Sequence, residues 1–357
     1  MKIFHTADVH LHTKLINSLD SSKSKLRRDE IKATFYSLIA KAREQKVKFF
    51  IIAGDLFDNE TGIARAKKQF LEVVQSNPQI NFLYVNGNHD ETCFRDEDLP
   101  SNFFTFKKDW TYYNFDNITF AGKTIPRVVD DYCFDGLSLD KERFNIVVLH
   151  GEISSGKVDS VDYDINLNAL KNKNIDYLAL GHIHIYQQGK LDKRGTYVYP
   201  GNLDGRSFNE LGERGYIELD LEDNKLSMAF VPLSSRIYYE VFVDISHCET
   251  ENDILQAINQ SVCDYDESSL MKIVLTGQVD INMHKDIEYL TQNISKNFFY
   301  VKIYDQTSMK IDFEALKGDI SIKGEFLRLV KESNEIKEED KRDVIILGIK
   351  ALEGEDL

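Results

Sequence analysis

Five short segments in the first half of this chain each place metal-ligand side chains directly after an apolar stretch that predicts a β-strand. They are Asp8-Val9-His10, Gly54-Asp55-Leu56-Phe57-Asp58, Gly87-Asn88-His89-Asp90, His150-Gly151 and Gly181-His182-Ile183-His184. The first three follow strands predicted at about 2–7, 48–53 and 80–86, with helices predicted at 25–46 and 62–76. This order implies parallel strands, whose carboxyl ends share the edge where open α/β sheets place their sites. We therefore expect the five segments to meet at one place.

The remainder of the first half predicts a second sheet. Apolar stretches at 145–149 and 175–180 lead into the last two segments. We expect later short alternating stretches to complete this second sheet as antiparallel strands, at 186–190, 196–199, 215–221 and 226–231. The predicted fold class is α/β, with two stacked β-sheets flanked by helices, plus a small α+β domain and a helical C-terminal tail.

Three domains are predicted along the chain. Pro232 and the polar stretch at 234–236 mark the end of a first domain, 1–235, which carries the five segments. Residues 236–308 predict a small β-α-β-α-β domain with its own rhythm of strands and helices. Its strands are predicted at 238–245, 271–278 and 298–304, and its helices at 251–263 and 284–296. Residues 309–357 predict two amphipathic helices.

The residue types in the five segments are those that hold two adjacent divalent metal ions. Such a site needs nitrogen and oxygen ligands, a carboxylate able to bridge, and an open face for substrate. Asp55 follows a glycine, so the backbone can turn sharply and bring its carboxylate inward. With no thiolate in the set, Mn²⁺ is the preferred ion, and Fe²⁺ or Zn²⁺ could also bind. The cysteines are scattered, which indicates reduced thiols.

Simpler interpretations exist for single residues. An isolated histidine such as His5, His12, His247 or His284 is usually a surface residue or a hydrogen-bonded core residue. Asp58 and Asp90 could be ligands, could support ligands, or could cap their own loops. The order of the five segments, with a glycine at most of the turns, favours a metal site over these separate explanations.

The net charge of −15, from 44 Lys+Arg and 59 Asp+Glu, argues against a broad basic surface that would hold DNA by itself. It leaves a nucleic-acid substrate open, because bound metals and a partner subunit could supply positive charge. No apolar stretch approaches the length of a membrane span. Since the first motif follows the N-terminus directly, we expect no cleaved signal peptide, no membrane association and a cytoplasmic protein.

The series D-x-H, G-D-x-x-D, G-N-H-D, H and G-H-x-H resembles the calcineurin-like metallophosphoesterase superfamily. Within it, the chain is most similar to the SbcD-type DNA repair exonucleases, in their YhaO-like bacterial branch. The similarity is carried by the opening His5–Leu11, by Gly54–Asp58, by Tyr199–Arg206 and by Glu213–Tyr216, and it covers about residues 1–235.

The resemblance implies a role for each matching residue. Asp8, His10, Asp55 and His184 would hold the first metal. The bridging Asp55, Asn88, His150 and His182 would hold the second. His89 would stabilise the transition state and protonate the leaving oxygen after attack by a hydroxide that bridges the metals. Two positions depart from the family pattern: Asp58 stands where some relatives have histidine, and His12 where many have glycine. Asp58, Asp90, His12 and Arg206 remain candidates for supporting or substrate-contacting roles.

The resemblance also implies partners and a biological function. The expected activity is metal-dependent hydrolysis of DNA ends, by an exonuclease or endonuclease of DNA repair. Residues 236–308 would form a capping domain over DNA. The tail at 309–357 would dock on the coiled coil of an SbcC-type ATPase, and the chain would form a homodimer.

Three alternatives differ in what they require of the sequence. A protein Ser/Thr phosphatase is disfavoured, since that branch has G-N-H-E where this chain has Gly87–Asp90. A small-molecule or cyclic-nucleotide phosphodiesterase would share every ligand. A non-catalytic DNA-end scaffold for an ATPase would have a broken ligand set, and here none of the ligands is missing.

Overall fold

The computed structural model describes residues 1–13, 15, 19–58, 63–94, 99–130, 132–154, 162–280, 283–310 and 320–353. The chain divides into two compact units, Met1–Tyr239 and Glu240–Leu357. Each is described separately below. The functional domain boundaries expected from the sequence stay predictions.

The first unit alternates strands and helices at its start and is rich in strands afterwards. Its strands are β1 (Lys2–Thr6), β2 (Phe49–Ala53), β3 (Asn81–Val85), β4 (Phe103–Thr105), β5 (Thr111–Phe115), β6 (Ile118–Gly122), β7 (Phe144–His150), β8 (Glu152–Ser154), β9 (Asp164–Asn166), β10 (Tyr177–Gly181), β11 (Gln187–Lys190), β12 (Thr196–Tyr199), β13 (Gly215–Glu222) and β14 (Lys225–Pro232). Its helices are α1 (Ser21–Glu44), α2 (Ala64–Gln75) and the short α3 (Leu167–Leu170).

The first sheet has the strand order β14-β13-β1-β2-β3-β4. Strands β1 to β4 run parallel, as the β-α-β pattern predicts. Strands β13 and β14 were expected in the second sheet, and that expectation is wrong. Strand β13 instead pairs antiparallel with the free edge of β1, from Lys2↔Asp220 to His5↔Ile217, and so fills the backbone hydrogen bonds of that edge. An alternating pattern identifies a strand but does not select its neighbour.

The second sheet has the order β11-β12-β10-β7-β6-β5. Its four central strands are parallel, and an antiparallel strand closes each edge. Strand β12 therefore lies parallel to β10, not antiparallel as expected. The predictions did not include strands β4 to β6, which carry no ligand motif and lie between irregular segments.

The two sheets stack face to face, which confirms the predicted fold class. Side chains such as Ile51, Leu83, Phe120 and Ile146 fill the layer between them. Helices α1 and α2 cover the outer face of the first sheet through residues such as Phe35 and Phe70. The outer face of the second sheet is covered by α3 and by irregular chain at 125–130 and 132–139, so helical cover is thin there. Burying each of these large apolar side chains contributes about 1.5–3 kcal/mol.

Helix α1 begins four residues before the predicted start, at Ser21. The reason is local: the side chain of Asp20 accepts a hydrogen bond from the backbone N–H of Lys23 at 2.9 Å and caps the helix. Its apolar face packs on the first sheet through Phe35, Leu38 and Ile39. None of the helices in the described part of the chain is long and apolar enough to span a membrane.

The second unit matches the predicted β-α-β-α-β order closely. Its first strand, β15 (Tyr238–Asp244), begins two residues before the boundary. The other elements are α4 (Glu251–Val262), β16 (Leu270–Thr276), β17 (Gln278–Val279), α5 (Ile287–Ile294), β18 (Tyr300–Asp305), β19 (Ser308–Met309), α6 (Ile322–Glu332) and α7 (Glu338–Glu353). The main sheet has the order β15-β16-β18. Helices α6 and α7 pack on each other through Leu327, Val330, Ile345 and Ile349. The predicted tail also includes 311–319 and 354–357, which lie outside the described residues.

Candidate metal centre

The carboxyl ends of five strands, from both sheets, bring the predicted ligands to one edge of the stacked sheets. The segments are tied together by backbone hydrogen bonds. The N–H of Asp8 donates to the carbonyl of Gly54 at 3.1 Å, and that of His10 to the carbonyl of Asp55 at 3.0 Å. In the second sheet, the N–H of Gly151 donates to the carbonyl of Gly181 at 3.1 Å. The fold thus gives these loops a shared, fixed geometry.

Several of these residues have unusual backbone conformations. Asp8, His10, Asp55 and His182 have φ angles of 51°, 48°, 49° and 103°. Residues with a side chain rarely adopt positive φ, and each such position costs on the order of 1–3 kcal/mol. Strain of this kind persists only where the surroundings impose it, and it clusters at functional sites. The strained backbone therefore lowers the stability of the fold, but it directs these side chains toward the candidate centre.

Two glycines allow the backbone to approach the ligands. A Cβ atom on Gly181 would lie 1.8 Å from the carbonyl oxygen of Ala53. A Cβ atom on Gly87 would lie 2.1 Å from Oδ1 of Asp55. Any side chain at these positions would push the strand ends apart.

The first group of donor atoms comes from both sheets. The Nε2 atoms of His10 and His184 lie 3.3 Å apart. Nε2 of His184 is 3.9 Å from Oδ1 of Asp8, and Nε2 of His10 is 3.8 Å from Oδ2 of Asp55. Asp8, His10 and His184 form one group whose ligand atoms all lie within 4.8 Å of one another.

A second group lies beside the first and includes the same carboxylate. Nε2 of His150 is 3.5 Å from Oδ2 of Asp55 and 3.0 Å from Oδ1 of Asn88. Nδ1 of His182 is 3.1 Å from that same amide oxygen. Asp55 thus faces both groups, which is the position required of a bridging ligand.

Hydrogen bonds fix which ring nitrogen faces the centre. Nδ1 of His150 lies 2.8 Å from the carbonyl oxygen of Ala53, and Nδ1 of His184 lies 2.8 Å from Oε1 of Glu210. Neither oxygen can donate, so each Nδ1 carries the proton and each Nε2 presents a lone pair to the centre. In His10 the Nδ1 atom lies 3.1 Å from Oδ1 of Asp58, which favours the same tautomer.

Lone pairs that face each other across 3.3 Å, as in His10 and His184, repel unless a cation lies between or beside them. Imidazoles oriented by a second hydrogen bond are the usual form of metal-ligating histidine. The donor set therefore fits divalent metal ions. The ligand assignments themselves stay predictions.

Asp58 and His89 lie next to this centre. Asp58 contacts His10 through its side chain, and its carbonyl oxygen lies 2.9 Å from Nδ1 of His89. The backbone N–H of His89 donates to Oδ1 of Asp55 at 2.9 Å. Because the Asp58 carbonyl can only accept, Nδ1 of His89 is protonated and the exposed ring presents Nε2 outward. His10, Asp58 and His89 also form a group that could hold a metal ion.

Asp90 supports the loops of the centre from inside the protein. It is fully buried, and its carboxylate accepts hydrogen bonds from the N–H of Gly87 at 2.8 Å and of Phe57 at 3.2 Å. Burial, together with the nearby charge of Asp55, raises the pKa of Asp90 to about 6. Its hydrogen bonds give it the loop-capping role, one of the interpretations left open by the sequence.

The sequence interpretation did not include Glu210. This buried carboxylate accepts from His184 and, through Oε2, from the N–H of Arg206 at 2.6 Å. Burial alone would raise the pKa of Glu210, yet the hydrogen bond from His184 and the charge of Arg206 lower it to about 2. Its only sequence signal is its position four residues after Arg206. The Arg206 side chain also approaches Asp58, with Nη1 at 3.3 Å from Oδ1.

The isolated histidines do not join the centre. His5 is buried between the sheets with Nδ1 at 2.8 Å from the hydroxyl of Tyr177. His247 and His284 are exposed in the second unit. His12 lines a separate cleft with residues of α1 and α2.

The sequence of this chain matches a known protein family. The family model described as "Calcineurin-like phosphoesterase" matches residues 1–186. Such phosphoesterases use two divalent metal ions, and the residue groups described above could hold them.

Individual relatives match at low identity. The "Uncharacterized metallophosphoesterase YhaO" of Bacillus subtilis is 22% identical over 73% of this chain and 67% of that protein. The "DNA double-strand break repair protein Mre11" of Aeropyrum pernix is 27% identical over 73% of this chain and 67% of its own length. The protein of that name from Sulfolobus acidocaldarius is 24% identical over 89% of this chain and 85% of its own length.

Proposed function

Because the chain belongs to the calcineurin-like phosphoesterase family, we propose that it is a metal-dependent phosphodiesterase that acts on DNA ends, as an exonuclease or endonuclease in DNA repair. The family makes it a phosphoesterase enzyme. Family membership does not identify the substrate, so the proposal of a DNA substrate is supported separately below.

The observation that carries the proposal is that His10 and His150 both turn Nε2 toward the carboxylate of Asp55. His184 adds a third nitrogen beside His10 and Asp8. Asp8, His10, Asp55 and His184 would hold one ion. Asp55, Asn88, His150 and His182 would hold the other. When bound, two divalent ions would offset the charge of phosphate oxygens and lower the pKa of an attacking water. The nitrogen and oxygen donors without thiolate favour Mn²⁺, with Fe²⁺ or Zn²⁺ as the other candidates.

His89 would supply the proton for the leaving oxygen. Its Nδ1–H is held by the Asp58 carbonyl at 2.9 Å, which fixes the ring and leaves Nε2 to face the substrate. A protonated ring could give its Nε2 proton to the leaving oxygen, and water would then restore it. Asp58 would position both His89 and His10.

A DNA substrate is supported by the relatives named for DNA double-strand break repair, one of which matches 89% of this chain. On the same basis we propose an SbcC-type coiled-coil ATPase as partner, a homodimer, and action in the cytoplasm. Residues 236–308 would form a capping domain and the tail at 309–357 would dock on the ATPase. The net charge of −15 makes the partner's surface important for holding a polyanion.

The direct test incubates the purified chain with Mn²⁺ and end-labelled linear DNA, and in parallel with a phosphodiester dye. Both are run with and without a coiled-coil ATPase of the organism, and Asp55→Asn is the inactive control. We expect cleavage of both substrates, lost on chelation and restored best by Mn²⁺. Cleavage of the dye but never of DNA would replace this proposal with a small-molecule phosphodiesterase. DNA binding without cleavage of either substrate would indicate a scaffold.

A further inference from the structure

A cleft of about 390 Å³ lies between α1 and α2, beside the candidate metal centre. Three cationic side chains line it: Arg28 and Lys32 from α1, and Arg65 from α2. All three are exposed, and Asp29 is the acidic residue that accompanies them. Among the described lining residues, the three cationic side chains outnumber the single carboxylate. This is a local inversion of charge in a chain whose net charge is −15.

The cations of this cleft have no internal partner among the residues that the structure describes. Arg28, Lys32 and Arg65 make no ion pair and no side-chain hydrogen bond within that part of the chain. Several other arginines are paired, as in the buried contact of Arg27 with Asp204 at 2.7 Å. Within the described residues, the guanidinium and ammonium donors of the cleft are therefore available to bind an anion.

The placement of these charges opposes helix stability. Arg28 and Lys32 are four residues apart on one helix face, a like-charge spacing that weakens a helix. Arg65 is the second residue of α2, whose first turn contains no acidic residue. Cations are disfavoured at that end of the helix dipole, where anions are favoured. Folding alone does not account for this arrangement, but a bound anion would offset both costs.

The cleft lies next to the candidate centre along the chain. Leu11, which lines it, follows the predicted ligand His10, and consecutive Cα atoms lie about 3.8 Å apart. Leu11 also pairs with Phe57, the residue before Asp58. His12, held at a φ of 70°, lies on the same wall. The segment that carries His10 therefore continues into the lining of the cleft, and its Leu11 is bridged to the segment that carries Asp58.

We propose that this cleft is a phosphate-binding subsite, which holds a backbone phosphodiester of the nucleic-acid strand next to the one being cut. Arg28, Lys32 and Arg65 contact the phosphate oxygens, and the Tyr36 hydroxyl is available as a neutral donor at the cleft wall. The contact is to the backbone, so it contributes affinity and register but no base preference. This inference rests on the proposed function, because it takes the substrate to be a strand that extends beyond the cleaved bond.

The test measures equilibrium binding of fluorescently labelled single-stranded DNA to the full chain by anisotropy, over a range of salt concentrations. The variant is Arg28→Gln with Arg65→Gln. The matched control is Arg43→Gln together with Lys25→Gln, which removes the same charge from exposed positions of α1 that do not line the cleft. Thermal unfolding of each protein checks that the fold is intact.

We expect the cleft variant to bind an oligonucleotide of about twelve nucleotides roughly tenfold or more weakly. The slope of log affinity against log salt should fall by about one for each lost phosphate contact. The loss should be smaller for a dinucleotide, which cannot reach from the centre into the cleft. The control should bind like the wild type.

Equal affinity and equal salt slope for the cleft variant and the wild type would overturn the inference, as would an equal loss in the control. Because binding is measured without turnover, the result is independent of the cleavage test. Cleft-dependent binding without cleavage would leave the subsite standing and remove the proposed activity. Cleavage together with DNA binding that does not depend on the cleft would support the proposed activity and overturn the subsite.

Discussion

Glu210 accepts a hydrogen bond from Nδ1 of His184 at 2.8 Å, and this contact fixes the ring nitrogen that faces the candidate centre. The second carboxylate oxygen accepts from the side-chain amide of Asn202 at 2.9 Å, which anchors Glu210 in turn. Burial lowers the pKa of His184, but the hydrogen bond to Glu210 and the charges of Asp8 and Glu210 together outweigh burial, so the net pKa is raised. Glu210 therefore helps to set both the orientation and the basicity of His184, a predicted ligand, although Glu210 is not itself a predicted ligand.

Replacing Glu210 with glutamine should weaken metal binding and turnover by about tenfold to a hundredfold, the usual effect of losing the partner of a ligating histidine. The neutral amide keeps the shape but no longer enforces the Nδ1–H tautomer. Metal affinity can be measured by calorimetric titration, and turnover with a phosphodiester dye. Glu213→Gln is the matched control, since Glu213 is exposed nearby. A Glu210→Gln protein with wild-type affinity and turnover would show that His184 needs no such partner.

His89→Ala should reduce turnover by about a hundredfold or more while metal content stays the same, because His89 lies beside the ligand groups and would act on the leaving oxygen. The measurement combines dye hydrolysis with elemental analysis of the purified protein. His247→Ala, at an exposed position of the second unit, provides the control for a general effect of losing a histidine. Unchanged turnover with full metal content would exclude the proton-donor role.

The clustering of the candidate ligand residues could be predicted because their segments follow apolar strands, and parallel strands end at a common edge. Asp8, Asp55 and His150 needed only this local pattern. Glu210 could not be found in this way. It lies in a loop, and its partner His184 is separated from it by 26 residues, so only the folded chain brings the two together.

The same limit applies to the sheets. Alternating residues identified 215–221 and 226–231 as strands, but the pattern is equally compatible with either sheet. The choice depends on which strand edge is left open, here that of β1. The sequence also could not decide the role of Asp90. In the folded chain its carboxylate is buried and accepts hydrogen bonds from the N–H groups of Gly87 and Phe57.

Gly54→Ala should destabilise the first unit and impair metal binding through a steric effect on His150. Gly54 has a φ of 86°, and a Cβ atom there would lie 2.1 Å from Nδ1 of His150. Alanine would disturb the hydrogen bond from that nitrogen to Ala53, which orients the ring. The free energy of unfolding, from urea denaturation, and the metal affinity should both fall.

Gly212→Ala separates this steric effect from backbone strain. Gly212 has a similar φ of 80°, but a Cβ atom there would meet nothing within 4 Å. It should cost only the left-handed strain of about 1–2 kcal/mol and leave metal binding intact. Gly54→Ala should cost about 1–3 kcal/mol more, as overpacking does. Equal losses in the two variants would mean that the approach to His150 is unimportant.

The buried His5 should make the stability of the first unit sensitive to acid. Burial is the main cause that lowers the pKa of His5 from 6.5 to about 3, so the folded protein keeps the ring neutral where the unfolded chain would protonate it. The stability from a neutral ring is fully present above the unfolded pKa of 6.5 and is lost as the pH falls from there towards 3. At about pH 5 the loss from this one group approaches about 2 kcal/mol. His5→Gln keeps a polar partner for Tyr177 but cannot titrate, so its unfolding free energy should fall less between about pH 7.5 and pH 5. Both proteins are measured by urea denaturation after chelation, so that protonation of the centre contributes equally to each. Parallel pH profiles for the two proteins would contradict this assignment.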